Sequence, residues 1–524
     1  MVIYHERPQA SHRAPEAPPS EATAAPPTQG AIGSRATHGA FWTAVAFGIT
    51  RASTLVINVL LARLLGPSDL GTVSFAMIFI GVLLLLQDLG VPAAIIYGAR
   101  PAREVAGTAL TMNVATALAF TLVVVAVSPW LAQWGNDPTI APVVIALAAG
   151  LVVTAVGSVQ NAVLTRELAF KKKAAPDVAP AIVGGLVSIV LALLGFGVWS
   201  LVIGYLAKVT GTTALLWTVS HVRARPEFRR PVAADLFRYG RHASLASIVG
   251  FVAGNSDYMV VGALMGSYAL GVYTLAYNLA SLPSTLVTQV IVTVLFPALS
   301  AVREHQRDAR ALLSTSFHAT VALSTVMGLG IFICAPSALT LFLTERWAEV
   351  IPPLQILAAF GVLRSIGSWT SPIFKAAGRP DLEWRLSLTR LVLHVLLMLT
   401  LARFGINGIA ASHLVVGFTF VVVGLVFVGR VTQIGMAGIW SLVRPHLLSG
   451  VPALALLATL ILTPAGAATL ANPIAAPVTA LLLAAVYLGL LSRVAPEVLM
   501  PIRDIAARQA TRLYAARTAS ATTR

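Results

Sequence analysis

From residue 41 onward the chain is a succession of apolar runs, each about as long as a lipid bilayer is thick. A membrane-spanning helix needs about 20 predominantly apolar residues, and the first two runs, about 41–62 and 72–97, are of that length or longer. Only 11% of the residues are charged, whereas a soluble domain carries about 25%. The pattern excludes a soluble globular protein and predicts an all-α polytopic membrane protein.

We predict about fourteen spans between residues 41 and 491. Most of the 36 Lys and Arg residues then fall on one side of the membrane, and the loops of the other side keep only Arg63, Arg346 and Arg403. Cytoplasmic loops carry such an excess of positive charge, so both chain ends are expected in the cytoplasm. The net charge of +16 therefore indicates orientation in the membrane, and we expect no nucleic-acid partner.

A short corner motif recurs at a separation of 200 positions. Leu65-Gly66 and Leu70-Gly71 reappear as Met265-Gly266 and Leu270-Gly271. Both corners lie on the outer side in the predicted topology, as in transporters built from two parallel repeats. Glycine permits tight turns and close helix approach, so the predicted outer-gate corners are Gly66, Pro67, Gly71, Gly266 and Gly271. Simple hairpin turns are the alternative interpretation.

The repeat and the loop charges together predict the organisation of the chain. It comprises a disordered cytoplasmic tail (1–38), a first lobe with spans 1–6 (39–220), a basic cytoplasmic loop (221–241), a second lobe with spans 7–12 (242–429), spans 13–14 (430–492) and a basic cytoplasmic tail (493–524).

Charged residues inside spans mark functional sites by default because they are costly to insert. Arg51 shares one helix face with Asn58, and a guanidinium matches a phosphate through two parallel N–H bonds. Snorkelling to the membrane surface is the alternative for Arg51. Lys208 and Arg364 are further candidates for binding the diphosphate or sugar of a substrate, whereas Arg390 is expected to snorkel outside the cavity.

Acidic and imidazole groups inside spans are candidates for ion coupling. Asp88 and Asp257, the latter with Asn255, could bind a coupling ion or balance a positive charge. Gly250, Ala253 and Gly254 share the face of Asp257, and such a small-residue stripe usually indicates helix packing instead. His318, His394 and His413 could shuttle protons, although single histidines on apolar helices are more often packing residues.

Several stretches resemble one known family over nearly the whole chain from 35 to 490. They include LARLLGPSDLGTVSFA (61–76), QDLGVPAAIIY (87–97), QNAVLTRELAFKKKAAPDV (160–178), FGVWSLVIGYL (196–206), the run from 236 to 283, AAGRPDLEWRLSLTRL (376–391) and RFGINGIAASHL (403–414). These stretches are similar to the polysaccharide-biosynthesis branch of the multidrug/oligosaccharidyl-lipid/polysaccharide (MOP) exporter superfamily. The resemblance implies a V-shaped fold of two six-helix lobes plus a carboxyl-terminal helix pair, with spans 1, 2, 7 and 8 lining a central cavity.

The resemblance also implies the function, a Wzx/WzxC-like flippase that moves undecaprenyl-diphosphate-linked oligosaccharide across the bacterial cytoplasmic (inner) membrane. The expected partners are that substrate, membrane lipids, and polysaccharide polymerase and export machinery. A cation-coupled multidrug-type exporter is the first alternative. A membrane polymerase or glycosyltransferase is a weaker one, since the outer loops are short and the largest carries a single acid, Asp137. No catalytic motif stands out, so we expect no enzyme activity, cofactor or metal.

Overall fold

The structure is a computed structural model that describes residues 48–88, 91–97, 100–290, 306–377 and 379–496. These residues form helices and short connections, with no strand among them. The predicted tail 1–38, the start of the first span, the end of the eighth span and most of the basic tail 493–524 lie outside the described residues.

The described helices follow the predicted order of two lobes and a terminal pair. The first lobe holds α1 (48–64), α2 (Pro67–Gln87), α3 (Val91–Tyr97), α4 (Ala102–Trp134), α5 (Ile140–Arg166), α6 (Phe170–Leu193) and α7 (Val198–Val219). The second lobe holds α8 (Arg230–Ala280), α9 (Leu282–Val290), α10 (Gln306–Phe342), α11 (Ile351–Ala376), α12 (Pro380–Leu401) and α13 (Gly405–Val431). The terminal pair is α14 (Gly435–Leu462) and α16 (Ala475–Val494), joined by the short α15 (Pro464–Ala471).

The number of membrane crossings agrees with the prediction of about fourteen. Eleven segments of the described residues are long and apolar enough to cross a bilayer. One of them, Asp381–Val431, has 51 residues and contains both α12 and α13 around a 3₁₀ turn. Helix α8 also has 51 residues, and its backbone breaks at Gly266, where φ is +80°. Both are more than twice the length of about 20 residues that one crossing needs, so each holds parts of two crossings.

Helix α5 forms the centre of the first lobe. Val143, Val144, Leu147 and Leu151 on this helix are fully buried, because α2, α4 and α7 all pack around it. Gly150 lets the Tyr205 ring of α7 approach its backbone closely, which is the small-residue packing expected where the lipid is as apolar as the helices. In the second lobe α11 occupies the corresponding central position between α10 and α13.

Candidate functional site

A polar cavity of about 380 Å³ lies within the second lobe, between α8, α11, α12 and α13. Its charged and titratable lining residues are Asp257, Tyr277, Arg364, Glu383, Arg390, His394 and His413. Gly254 of α8 also lines it, and a Cβ there would meet no atom within 4 Å. The small-residue face of α8 therefore borders open space at this position, and helix packing does not explain Gly254.

Asp257 is held by two side chains from distant parts of the chain. The Tyr273 hydroxyl donates to Asp257 Oδ2 at 2.6 Å, and His413 Nε2 lies 3.2 Å from the same oxygen and 2.8 Å from the Tyr273 oxygen. All three side chains are buried. The break at Gly266 reverses the direction of α8, so Tyr273 returns to the level of Asp257 although it lies 16 residues later.

Two guanidinium groups enter the same cavity. Arg364 Nη1 donates to the Tyr277 hydroxyl at 2.7 Å, and its guanidinium lies 5.8 Å from the centre of the Tyr277 ring. Arg390 lines the cavity from α12. Among the described residues neither arginine has a carboxylate within 4.0 Å, since Asp257 bonds His413 and Tyr273.

Glu383 is the second carboxylate of this cavity, and it is already balanced. It accepts a hydrogen bond from Ser371 at 2.5 Å and lies 3.4 Å from the ammonium group of Lys375. With both carboxylates engaged, Arg364 and Arg390 give the cavity its available positive charge.

An apolar groove of about 600 Å³ adjoins the polar cavity. It runs between α10, α11, α13, α14 and α16, and its lining is almost wholly aliphatic and aromatic. Leu363 and Val421 line both the groove and the polar cavity. The second lobe and the terminal helix pair therefore present a charged space and an apolar space side by side, which suits an amphipathic ligand.

The two lobes touch at the end of the bundle where the repeated corners lie. A Cβ on Gly71 would lie 1.6 Å from the carbonyl oxygen of Ser267, and a Cβ on Gly271 would lie 1.8 Å from that of Pro67. Positions 67 and 267 are equivalent in the repeat, as are 71 and 271, so the contact is reciprocal. We call it the corner contact. It requires that positions 71 and 271 carry no side chain.

Asp137, in the connection between α4 and α5, bridges the corner contact. Its Oδ2 accepts hydrogen bonds from Thr72 at 2.6 Å and from Ser267 of the second lobe at 3.0 Å. Burial raises the pKa of the Asp137 carboxyl, but the bonds from Thr139, Thr72 and Ser267 outweigh burial and hold that pKa below 3.8. Asp137 is therefore an ionised acceptor that joins the lobes.

A third contact joins the lobes at the same end. Trp347, in the 3₁₀ turn Glu345–Val350 between α10 and α11, is fully buried, and its indole N–H donates to the Ala62 carbonyl of α1 at 2.7 Å. The corner end of the bundle is thus closed by close backbone packing, a bridging carboxylate and a buried tryptophan.

A family model described as polysaccharide biosynthesis protein matches residues 60–352, which is more than half of the chain. The chain belongs to the polysaccharide biosynthesis protein family. The match confirms the resemblance carried by the sequence motifs, and it spans the first lobe from the end of α1 onward, the corner contact and the 3₁₀ turn that holds Trp347.

Three curated relatives of this polysaccharide biosynthesis protein each match about two thirds of the chain. Lipopolysaccharide biosynthesis protein WzxC of Escherichia coli K12 is 25% identical over 68% of this chain and 73% of its own length. Succinoglycan biosynthesis transport protein ExoT of Rhizobium meliloti is 26% identical over 66% and 69%, respectively. Teichuronic acid biosynthesis protein TuaB of Bacillus subtilis is 20% identical over 70% and 76%.

Solved structures confirm the predicted fold. The lipid II flippase MurJ in an inward closed conformation has a TM-score of 0.66 at 13% identity, covering 86% of this chain and 97% of that chain. An inward-facing multidrug resistance MATE family transporter of the MOP superfamily has a TM-score of 0.59 at 18% identity, covering 74% and 98%. ExoT, the MATE protein and MurJ are named as a transport protein, a transporter and a flippase, respectively.

The structure brings together only some of the predicted site residues of this polysaccharide biosynthesis protein. Asp257 and Arg364 line the polar cavity. The others do not line it: Arg51 and Asn58 are half-buried on α1, Asp88 is half-buried at the end of α2, Lys208 is exposed on α7, and the Asn255 amide donates to Phe251 of its own helix. Arg51 Nε is buried without a hydrogen-bond partner among the described residues. The substrate-binding role of Arg51 stays a prediction.

Arg390, His394 and His413 are among the lining residues that the sequence did not identify as site members. Arg390 was expected to snorkel outside the central cavity, and the structure places it beside His394 at the polar cavity of the second lobe. His394 and His413 were read as packing residues, yet both line the cavity and their ring centres lie 4.2 Å apart. The spacing of four between Arg390 and His394, which places both on one helix face, is the signal that could have identified them.

Proposed function

We propose that this protein is a flippase that moves undecaprenyl-diphosphate-linked oligosaccharide across the bacterial cytoplasmic membrane for surface or exopolysaccharide biosynthesis. The observation that carries the proposal is the polar cavity with two guanidinium groups that no carboxylate of the described residues neutralises, joined through Leu363 and Val421 to an apolar groove. The relatives named for lipopolysaccharide, succinoglycan and teichuronic acid biosynthesis support the same substrate class.

The diphosphate would lie between Arg364 and Arg390. Planar guanidinium groups bind phosphate oxygens through paired N–H bonds, and here no carboxylate of the described residues neutralises them. Tyr277 holds the Arg364 guanidinium in place. The isoprenoid tail would occupy the apolar groove, where it would contact aliphatic and aromatic side chains in place of lipid chains.

The corner contact would serve as the outer gate of this flippase. In the predicted orientation, with both chain ends in the cytoplasm, the corners face outward. The reciprocal packing of Gly71 and Gly271 then closes the outer side, and rocking of one lobe against the other would open it. The predicted basic loop 221–241 would then lie on the cytoplasmic side, opposite the gate. Polysaccharide polymerase and export machinery would take the translocated product.

The multidrug-type exporter is the weaker candidate. A cationic drug would enter a cavity whose free charges, Arg364 and Arg390, are positive, while Asp257 is engaged by His413 and Tyr273. The two guanidinium groups would repel a cation that entered beside them. The charge balance therefore favours an anionic head group.

The deciding experiment identifies the lipid that accumulates in cells when Arg364 and Arg390 are substituted. We expect Arg364→Ala and Arg390→Ala to stop polymer export and to leave lipid-linked oligosaccharide in the inner leaflet, with normal amounts of protein in the membrane. Arg385→Ala is the matched control, because Arg385 lies on the same helix as Arg390 but stacks on Trp384. Normal export by both cavity variants would exclude the diphosphate site.

A further inference from the structure

We infer that His413 is a proton-binding site that controls how tightly the polar cavity holds an anionic head group. The inference rests on the proposed function, since the head group is taken to be the diphosphate that lies between Arg364 and Arg390. It adds a titratable residue, the atom that takes the proton, and the direction in which proton and head group affect one another.

The hydrogen-bond pattern identifies the atom that titrates. Tyr273 has one hydroxyl hydrogen, and that hydrogen is donated to Asp257 Oδ2. The 2.8 Å contact between the Tyr273 oxygen and His413 Nε2 must therefore be donated by His413, so Nε2 carries a hydrogen in either protonation state. Nδ1 is then the atom that gains or loses a proton.

The buried carboxylate explains why His413 can become charged inside the membrane. Asp257 is only 2% exposed, and its Oδ2 lies 3.2 Å from Nε2. An imidazolium beside this carboxylate forms a neutral pair, which is far less costly to bury than an isolated ion. His394 contacts the His413 ring edge to face, also lines the cavity, and has a buried Nε2 without a partner among the described residues. It is placed to pass a proton from the cavity.

The opposing charges come from the same arginines that would bind the head group. The charged and titratable groups facing the pair are Tyr258, Tyr273 and Tyr277 of α8, Arg364 of α11, and Arg390 and His394 of α12. Asp257 favours the imidazolium, whereas Arg364 and Arg390 oppose it.

A bound diphosphate would neutralise the arginines and remove the opposition. The head group and the proton therefore bind cooperatively, and each raises the affinity of the other by the same factor. Entry of the negatively charged head group into the polar cavity and protonation of His413 Nδ1 then become one coupled event in the second lobe.

The test measures proton uptake during binding. The probe is a farnesyl-diphosphate-linked monosaccharide, a diphosphate diester whose two negative charges do not change with pH in the range used. Calorimetry of the purified full-length protein, in buffers of different ionisation enthalpy, gives the number of protons taken up. We expect uptake approaching one proton, and an affinity that falls by up to about tenfold per pH unit as the pH rises above the range where imidazole titrates.

His413→Gln is the informative variant, because a glutamine amide can still donate a hydrogen bond to Tyr273 but cannot titrate. We expect it to bind the probe without proton uptake and without pH dependence. His221→Gln is the control, since His221 pairs with Glu167 outside the cavity and its change should leave the uptake intact.

The outcomes separate this inference from the proposed function. Binding without proton uptake in the unchanged protein, or uptake that persists in His413→Gln, would overturn the proton site and leave the flippase proposal standing. An affinity that depends on sodium concentration and not on pH would overturn it in favour of a metal cation. Failure of the unchanged protein to bind the probe would overturn both.

Discussion

A single methyl group at the corner contact should prevent the two lobes from closing. In Gly271→Ala the new Cβ would lie 1.8 Å from the Pro67 carbonyl oxygen, and in Gly71→Ala it would lie 1.6 Å from that of Ser267. Both obstacles are backbone atoms, which cannot rotate away. Since non-bonded heavy atoms need about 3.5 Å, the helices must separate by roughly 1.7 Å in Gly271→Ala and slightly more in Gly71→Ala.

That separation also breaks the bridge through Asp137. The Ser267 hydroxyl lies 3.0 Å from the carboxylate, and a further separation of roughly 1.7 Å takes it beyond any hydrogen bond. A hydrogen bond to a charged group contributes about 1.5–3 kcal/mol, which we reduce to about 1 kcal/mol because Asp137 is only half-buried and water screens it. The loss alone shifts the equilibrium from closed to open by about fivefold, with the lost backbone packing in addition.

Distance measurements across the corner test this expectation. Spin labels on Ser68→Cys and Tyr268→Cys, equivalent exposed positions in the two repeats, would be introduced in a Cys334→Ala background. We expect Gly271→Ala to move the distribution toward longer distances and to reduce export. Gly330→Ala is the control, because a Cβ at Gly330 meets nothing within 4 Å. If Gly271→Ala matched that control in distance and export, the corner contact would not be the gate.

Three further outcomes follow from the same structure. The Asp137 carboxyl has a lowered pKa, so its contribution to closure of the corner contact is present above about pH 4 and is lost as the pH falls through the folded-state pKa. The distances between the spin labels should lengthen only in that acid range, and Asp137→Ala should abolish this pH dependence. Gly450→Phe should fill the apolar groove, where a Cβ at Gly450 meets nothing within 4 Å, and should reduce export at normal protein levels. A reporter that is active only in the periplasm should be active when fused after Gly466 and silent when fused after Arg229, which tests the predicted orientation.

The fold was readable from the sequence because it rests on local and periodic signals. Long apolar runs define the helices, the alternation of basic loops sets their number, and the recurrence of Gly71 as Gly271 identifies the halves. At the corner, however, the repeat did not predict the backbone conformation of each glycine. Gly266 takes the left-handed backbone conformation expected of a glycine, whereas Gly66, with φ of −85°, does not need it.

The polar cavity was less predictable because it depends on the rotation of each helix. Snorkelling was predicted for Arg390 from the sequence of its own helix. That sequence does not show that α12 packs on α13 with Arg390 at the polar cavity. The network of Asp257, Tyr273 and His413 joins residues that are at least 140 positions apart across the two contacts of His413. No spacing rule within one helix reports such a contact, so the histidines were assigned to packing.

The two repeats share the corner contact but not the polar residues of the cavity, and this asymmetry bears on how binding could move the lobes. Gly71 and Gly271 remain equivalent and touch each other's repeat. The positions equivalent to Asp257 and Tyr273 are Ile57 and Val73 in the first lobe.

Ile57 is used for packing, because its side chain fills the space above Gly185 of α6. A charged ligand and a proton in the polar cavity would therefore act on the second lobe alone, through α8, whose two segments on either side of the Gly266 break carry Asp257 and the corner residue Gly271. Because a ligand shifts an equilibrium only by its differential affinity for the two states, a one-sided site on a helix that also forms half of the corner contact is sufficient to bias that contact.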